Sequence, residues 1–425
     1  MPVRFLHMAD IHLGYQQYNS RERFDDFARA FLHVVDEAIT REVSFVLLAG
    51  DLFEKRTVDP LAMRQAVEGL QQLRDAQIPA IAVEGNHERA HYRDQYSWLE
   101  FLDAIGLITL LNPAVQDGRL HFAPYAPEGG GAYVDLPGGV RVYGLKYYGA
   151  STDRVLAMFT EGLAALAGPA PAYSILLMHA GLEGILDRCS GAVTRRAIEP
   201  LRPLVNYVAL GHIHKPYEVD NWIFNPGSLE TWSVDESEWA ERGYYLVELA
   251  AHSAMAHQAE LVATPRRRFI RLQVSVDACA SPQAIYDAVR AKAESAAAMR
   301  PAGDDRPPVV ELTLEGTLPF DRLDLDIGHV EDTVTAAFEA LLARVQNKAK
   351  PAGSNVDVGP AGSRAQLEQQ VLCGLIERDE RFRSAASQWA EVAIELKRRT
   401  LTGSSPDDIL GYLREARGQL AAQGD

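Results

Sequence analysis

An α/β fold in which short strands alternate with amphipathic helices in layers is what this sequence predicts, and three observations carry the expectation. Five apolar runs of strand length recur, at residues 3–8, 45–49, 79–83, 174–178 and 205–210. Between the first three lie two helical patterns, Phe24, Phe27, Phe31, Val34, Val35 and Ala38, then Leu61, Val67, Leu70 and Leu73, each with the three-to-four spacing of a face turned toward a core. Each apolar run is also followed at once by residues able to coordinate a metal ion. Repetition of strand and helix builds layers, and in such layers ligands collect beyond the carboxyl ends of the strands.

The residues at those ends are, in order, Asp10-Ile11-His12, Gly50-Asp51, Gly85-Asn86-His87, His179 and Gly211-His212-Ile213-His214. Two divalent cations held about 3.5–4 Å apart need oxygen and imidazole donors and a carboxylate able to bridge them. This set supplies both donor types and contains no thiolate. Taken singly, each motif has a bland reading: Asp-x-His is usually a turn, Gly-Asp a strand terminator, and Gly-Asn-His three turn-favouring residues in a row. Taken jointly, in one order and one strand-end context, they favour a shared two-metal site over the separate readings.

The pattern resembles the calcineurin-like metallophosphoesterase superfamily and, within it, the SbcD-type DNA-repair nucleases. The likeness is carried by Ala9-Asp10-Ile11-His12-Leu13-Gly14-Tyr15, Gly50-Asp51-Leu52-Phe53, Gly85-Asn86-His87, Leu210-Gly211-His212-Ile213-His214 and Asn225-Pro226-Gly227-Ser228-Leu229-Glu230. His-Leu-Gly after the first Asp and Pro-Gly-Ser after the last His pair separate this nuclease branch from the protein phosphatases. The resemblance is strong over residues 1–250, moderate to about 350 and weak beyond. It implies a layered β-sandwich flanked by helices and a two-metal DNA phosphodiesterase with exonuclease or endonuclease action. It further implies manganese, with magnesium as the alternative, metal-generated hydroxide attacking the phosphodiester, a homodimer, and an SbcC-like ATPase partner. Residue by residue, it gives one metal to Asp10, His12, Asp51 and His214 and the second to Asp51, Asn86, His179 and His212. Asp51 is then the bridging carboxylate and His87 the acid for the leaving alkoxide. Two positions depart from the family pattern: Glu54 stands where Asp or His is common, and Glu88 where Asp is common. They bear on phosphate contact and on the orientation of His87.

At 425 residues the chain suggests two domains and an appendage, and its 47% hydrophobic and 24% charged content is that of a soluble globular protein. Cys189, Cys279 and Cys373 are far apart with no C-x-x-C, which argues against a disulfide framework or zinc knuckle and for a reducing compartment. The first residues lack the pattern of a signal peptide, and no apolar run approaches the roughly 20 residues of a membrane span, so a cytoplasmic location is expected. A net charge of −16 is awkward for an enzyme of nucleic acid, which calls for a basic footprint. Arg195-Arg196, Arg266-Arg267-Arg268, Lys348 with Lys350, and Lys397-Arg398-Arg399 are candidate backbone contacts, although such clusters are more often solvated faces. Weak DNA binding by this chain alone is therefore expected. No Gly-x-x-x-x-Gly-Lys occurs, so any ATP hydrolysis belongs to another chain.

Past residue 264 the pattern shifts. Alternation at 269–274 and 309–314, with a helical stretch at 282–299 between them, reads as a small α+β domain over 265–346, which in the resembled family caps the cleft and admits DNA. Residues 347–364, NKAKPAGSNVDVGPAGSR, read as a linker. Residues 365–425 then carry three short amphipathic helices, with Trp389 and Leu396 among their large apolar residues; these either pack on the body or dock an ATPase. The expected division is a catalytic domain at 1–264, a DNA-capping domain at 265–346, the linker, and a partner-docking segment at 365–425. Two other functions compete with the nuclease. A small-molecule or nucleotide phosphoesterase needs neither cap nor tail, and a non-catalytic scaffold needs no intact ligand set.

Overall fold

The structure, a computed structural model, describes residues 3–89, 96–127, 129–186, 190–250, 257–299, 306–351, 363–377, 379 and 381–421. Cys189 lies outside them. Among the described residues no helix is long and apolar enough to cross a membrane.

The five expected strands form at Arg4–Met8, Phe45–Leu48, Ala80–Ala82, Tyr173–Met178 and Tyr207–Leu210, and they divide between two six-stranded sheets. The first sheet runs His257–Ala263, Gly243–Leu249, Arg4–Met8, Phe45–Leu48, Ala80–Ala82, Thr109–Leu110 from edge to edge. The second runs Tyr217–Val219, Ile223–Asn225, Tyr207–Leu210, Tyr173–Met178, Val140–Leu145, Tyr133–Leu136. The strands that carry the motifs pair in parallel, Met8 opposite Leu48 and Leu48 opposite Ala82 in one sheet, Leu210 opposite Met178 in the other. Parallel pairing sends their carboxyl ends the same way.

Side-chain alternation explains why these runs are uniformly apolar. Phe5 joins Phe45, Leu47, Ile81, Ile175, Leu177, Tyr207 and Phe224 in one cluster, whereas its neighbours Leu6 and Met8 join Phe31, Val34, Leu70 and Leu73 of the helices in another. A strand buried on both faces has no polar side to show. A third cluster backs the second sheet with Leu156 and Phe159 from the helix Thr152–Ala164.

The helix Arg21–Thr40 starts at Ser20, whose side chain accepts the Arg23 N–H, and Pro60–Asp75 starts at Asp59 with Pro60 in its first turn. The two cross where Phe31 is fully buried against Gly69; a Cβ there would lie 2.4 Å from the ring. Phe31→Ala is expected to lower stability by about 3–5 kcal/mol, because neither helix backbone can fill the void. A urea midpoint equal to that of the unaltered chain would contradict this packing.

The chain divides into two compact units, Met1–Arg271 with Arg300–Glu311 and Phe338–Ala343, and Leu272–Met299 with Leu312–Ala337 and Arg344–Asp425. The strand, helix, strand, helix order expected past residue 264 is present at Phe269–Ser275, Pro282–Ala298, Val309–Glu315 and Ile327–Phe338. A further strand, Leu342–Asn347, completes a three-stranded sheet. Lys350–Pro351 pairs in parallel with Thr317–Leu318, so the first residues of the expected linker are strand, while 352–362 lie outside the described residues. The tail forms the helices Arg364–Ile376, Ala386–Leu401 and Pro406–Ala421, the middle one packing on both others. Leu367, Leu375, Leu401 and Leu410 remain exposed there.

Candidate metal centre

The backbone at the strand ends is unusual. Asp10, His12, Asp51 and His212 all lie in the left-handed region, with φ of 52°, 54°, 54° and 83°. Such torsions are uncommon outside glycine, although Asp, Asn and His tolerate them best, and they persist only where surrounding structure enforces them. Here the enforcement is visible. Ile11 and His12 donate their N–H groups to Asp51 O at 2.9 and 3.0 Å, and Asp10 donates to Gly50 O at 3.2 Å. Across the sandwich, His212 N–H donates to both oxygens of Asp10 at 2.9 and 3.0 Å, which ties the second sheet to the first. Gly50 and Gly85 are required by close approach: a Cβ on Gly50 would sit 2.4 Å from His179 Nδ1, and one on Gly85 2.0 Å from Asp51 Oδ1.

All eight residues singled out from the sequence converge here. His179 Nε2 lies 3.1 Å from Asn86 Oδ1 and 3.2 Å from Asp51 Oδ2, His212 Nδ1 lies 2.9 Å from the same Asn86 oxygen, and His12 Nε2 lies 3.1 Å from His214 Nε2. Asp10, His12 and His214 can share one ion, and Asp51, His179 and His212 another. His87 stands beside these groups, its N–H donating to Asp51 Oδ1 at 3.0 Å and its Nε2 4.0 Å from Asp51 Oδ2.

Whether these residues fit metal ions is decided by their outer nitrogens. His179 Nδ1 faces Ala49 O at 2.7 Å, His212 Nε2 faces Ser190 O at 2.7 Å, and His214 Nδ1 faces Glu236 Oε1 at 2.6 Å. Each of those oxygens only accepts, so each outer nitrogen carries the proton. In the neutral ring the inner nitrogen is then a bare lone pair, and it points at another acceptor: an amide oxygen, a carboxylate or a second imidazole. Acceptors facing acceptors in a buried pocket call for a cation between them, and the outer bonds are the ones that orient ligating histidines. The donor set fits two divalent ions.

Electrostatics agree with that reading. Burial opposes ionisation of Asp51, yet the charge and hydrogen bond of His179 outweigh it and hold the carboxyl well below the ordinary range. Burial likewise opposes the His179 imidazolium, but Asp51 pushes that group up to about 9. A proton on His179 does the work a cation does when bound. Glu88, fully buried, is pushed up to about 8 by desolvation and then by the Asp51 charge. It accepts N–H bonds from Asp51 at 3.0 Å, Phe53 at 3.0 Å and Gly85 at 2.7 Å, stapling two ligand loops together.

Several participants were not legible as such. Glu236 lies in the acidic run Asp235-Glu236-Ser237-Glu238, which looks like a solvated face, but it joins His214 to the buried Arg242 at 2.6 Å. Tyr147 packs its ring against His212 and His179 at 5.1 and 5.9 Å, and Trp232 lies against His214 and His12 at 5.6 and 6.1 Å. The strand before Tyr147, Val140–Leu145, could have been found from the alternation around Pro137-Gly138-Gly139, a hairpin signal with both glycines at positive φ. Two of the basic clusters are engaged internally. Arg267 is buried on Asp26, Arg266 bonds Ala240 O and Arg242 O, Lys397 pairs with Glu368, and Arg398 and Arg399 pair with Glu395.

Sequence comparison places this geometry among known proteins. The chain is 32% identical over 283 residues to the DNA double-strand break repair protein Mre11 of Archaeoglobus fulgidus, covering 64% of this chain and 59% of that protein. To the protein of the same name from Aeropyrum pernix it is 28% identical over 292 residues, 67% of this chain and 66% of that one. The Haloferax volcanii Mre11 is 31% identical over 266 residues, 62% and 53% of the two chains. The chain therefore spans less than two thirds of the length of these relatives. The calcineurin-like phosphoesterase family matches residues 3–216, a stretch that contains all eight converging side chains. With half its length matched and that centre inside the match, the chain belongs to the calcineurin-like phosphoesterase family.

Proposed function

We propose that the chain is a two-metal DNA phosphodiesterase of a DNA-break repair complex. Asp10, His12, Asp51 and His214 hold one divalent ion, Asp51, Asn86, His179 and His212 hold the other, and manganese is the preferred metal. The observation that supports this most is the set of inward imidazole nitrogens converging within about 3 Å on carboxylate, amide and imidazole acceptors. The names of the relatives support DNA as the substrate. When bound, the ions supply an activated water and positive charge against the phosphoryl oxygens. Asp51 aligns the two ion positions, Glu88 fixes the loops of Asp51 and Asn86, and His87 presents Nε2 to the departing oxygen. Its Nδ1, 2.5 Å from Glu54 O, is anchored by donating there, so a proton delivered to the leaving group comes from Nε2.

The remaining parts follow the same reading. Residues 265–346 cap the cleft over DNA, and 365–425 dock an SbcC-like ATPase, a role suited to the exposed Leu367, Leu375 and Leu410. Trp98, Phe101 and Ile105 form an exposed apolar patch at one short helix, which suits a homodimer. The protein works in the cytoplasm on the nucleoid.

The test is labelled linear and hairpin DNA incubated with manganese, magnesium or chelator, beside a phosphomonoester. Metal-dependent degradation of DNA far exceeding monoester release is expected; rapid monoester release with intact DNA would overturn the assignment in favour of a small-molecule phosphoesterase. In the same assay His87→Ala is expected to keep both ions and lose about 10²–10⁴-fold in cleavage, the range for a general acid. Elemental analysis finding that variant free of metal, or an assay finding it fully active, would sink the role of His87.

A further inference from the structure

We infer that Glu54 is a positioning residue for the first ion: its carboxylate holds the His12 ring in the tautomer that leaves Nε2 free to ligate. This inference rests on the metal centre proposed above. Glu54 is mostly buried, and its place is set by backbone pairing, since Glu54 N–H donates to Leu13 O at 3.0 Å beside the bridge between Leu13 and Phe53. From there Oε2 reaches within 2.9 Å of His12 Nδ1 and accepts the Trp232 Nε1–H at 2.9 Å. His12 is sealed from water and its Nδ1 makes no well-aligned hydrogen bond among the described residues; the Glu54 carboxylate, 2.9 Å away, is the acceptor within its reach.

The consequence follows from the two places the His12 proton can sit. On Nδ1 it faces a carboxylate, and Nε2 offers its lone pair to an ion. On Nε2 it faces His214 Nε2, 3.1 Å away, whose own outer nitrogen is tied to Glu236. That second arrangement is a satisfied imidazole–imidazole hydrogen bond lying across the ion's position, and binding must first break it. Glu54 decides between them. A negative acceptor favours the first arrangement and raises the basicity of the ligating nitrogen, the role carboxylates play behind ligating histidines. Glutamine in its place keeps the length and an oxygen for the Trp232 donor but removes the charge that favours the first arrangement.

The experiment uses the full chain stripped with chelator and titrated with manganese by calorimetry. Tryptophan fluorescence is followed in parallel, and Trp232→Phe assigns the signal of the indole beside His12 and His214. The unaltered chain is expected to take two ions; Glu54→Gln is expected to take one as before and the other about 10–100-fold more weakly, with metal-free melting unchanged and the Trp232 signal shifted to higher manganese. Should Glu54→Gln not fold, Glu54→Met, which keeps length and removes both acceptor oxygens, carries the same expectation for the two ions, with metal-free melting lowered by loss of the Trp232 acceptor. Either variant binding both ions as tightly as the unaltered chain overturns the role of Glu54 and leaves the metal centre standing. An unaltered chain that binds no manganese overturns the centre itself.

Discussion

Asp51→Asn is expected to eliminate tight binding of both ions and with it all metal-dependent cleavage. Asparagine is the informative replacement, because Asp51 sits at φ 54° and asparagine tolerates that torsion, so the backbone keeps its course. What disappears is the charge. Oδ2 lies 3.2 Å from His179 Nε2, and Asp51 stands against ligands of both ions. If Asp51 is shared by both ions as proposed, removing its charge should cost more than the roughly 10–100-fold typical of outer partners. Stability should respond selectively. A bound ion at 100 times its Kd stabilises by about 2.7 kcal/mol per site, an increment the unaltered chain should show on adding manganese and the variant should lack. Calorimetric titration and melting with and without manganese check both statements; a variant that still melts higher with manganese would sink the bridging role.

A loss of stability as large as that expected for Phe31→Ala lies at Asp26. Its fully buried carboxylate receives Arg23 Nη1 at 2.6 Å and Arg267 Nε and Nη2 at 2.6 and 3.0 Å, and it also pairs with Arg29. Breaking a buried pair strands its partners without compensation, so Asp26→Asn should destabilise by about 3–5 kcal/mol. Burial alone would raise the Asp26 carboxyl, but the hydrogen bond of Arg267 and the charge of Arg23 outweigh it and hold the folded value below the ordinary one. A depressed folded value places the stabilising contribution above the unfolded pKa of about 4, and it is lost as pH falls through the folded value. Urea midpoints at neutral pH and along a series descending below pH 4 should converge for variant and unaltered chain at the acid end. Equal midpoints at neutral pH would remove Asp26 from the account of stability.

What could be read from the sequence and what could not follows from range. Arg4–Met8 and its parallel partners announced themselves because burial on both faces leaves an unbroken apolar run, and each ligand motif is local, a few residues just past a strand. The division into two sheets was not contained in those runs, since an apolar strand does not say which sheet it joins; here only the likeness to a known family supplied the sandwich. Glu236, Trp232 and Tyr147 were invisible for a related reason. Their roles depend on side chains that meet across the fold, as Trp232 meets Glu54 from 178 positions away. Arg266 and Arg267 illustrate the converse: a basic triplet resembles a surface for phosphates, yet the carbonyls and carboxylate around it hold two of its members inside.

The left-handed torsions of Asp10, His12, Asp51 and His212 bear on the order of events as the chain folds. These aims are enforced by contacts between strand ends, among them the His212 N–H on Asp10 across 202 positions, and an unfolded chain has no means of holding them. No fragment of the sequence therefore assembles a competent set of donors by itself, and ions cannot act as a template for early structure. On this reading they should enter only after both sheets have closed. Interactions absent from the transition state act on escape from the native state and not on approach to it, so manganese should slow unfolding while leaving the folding rate as it was.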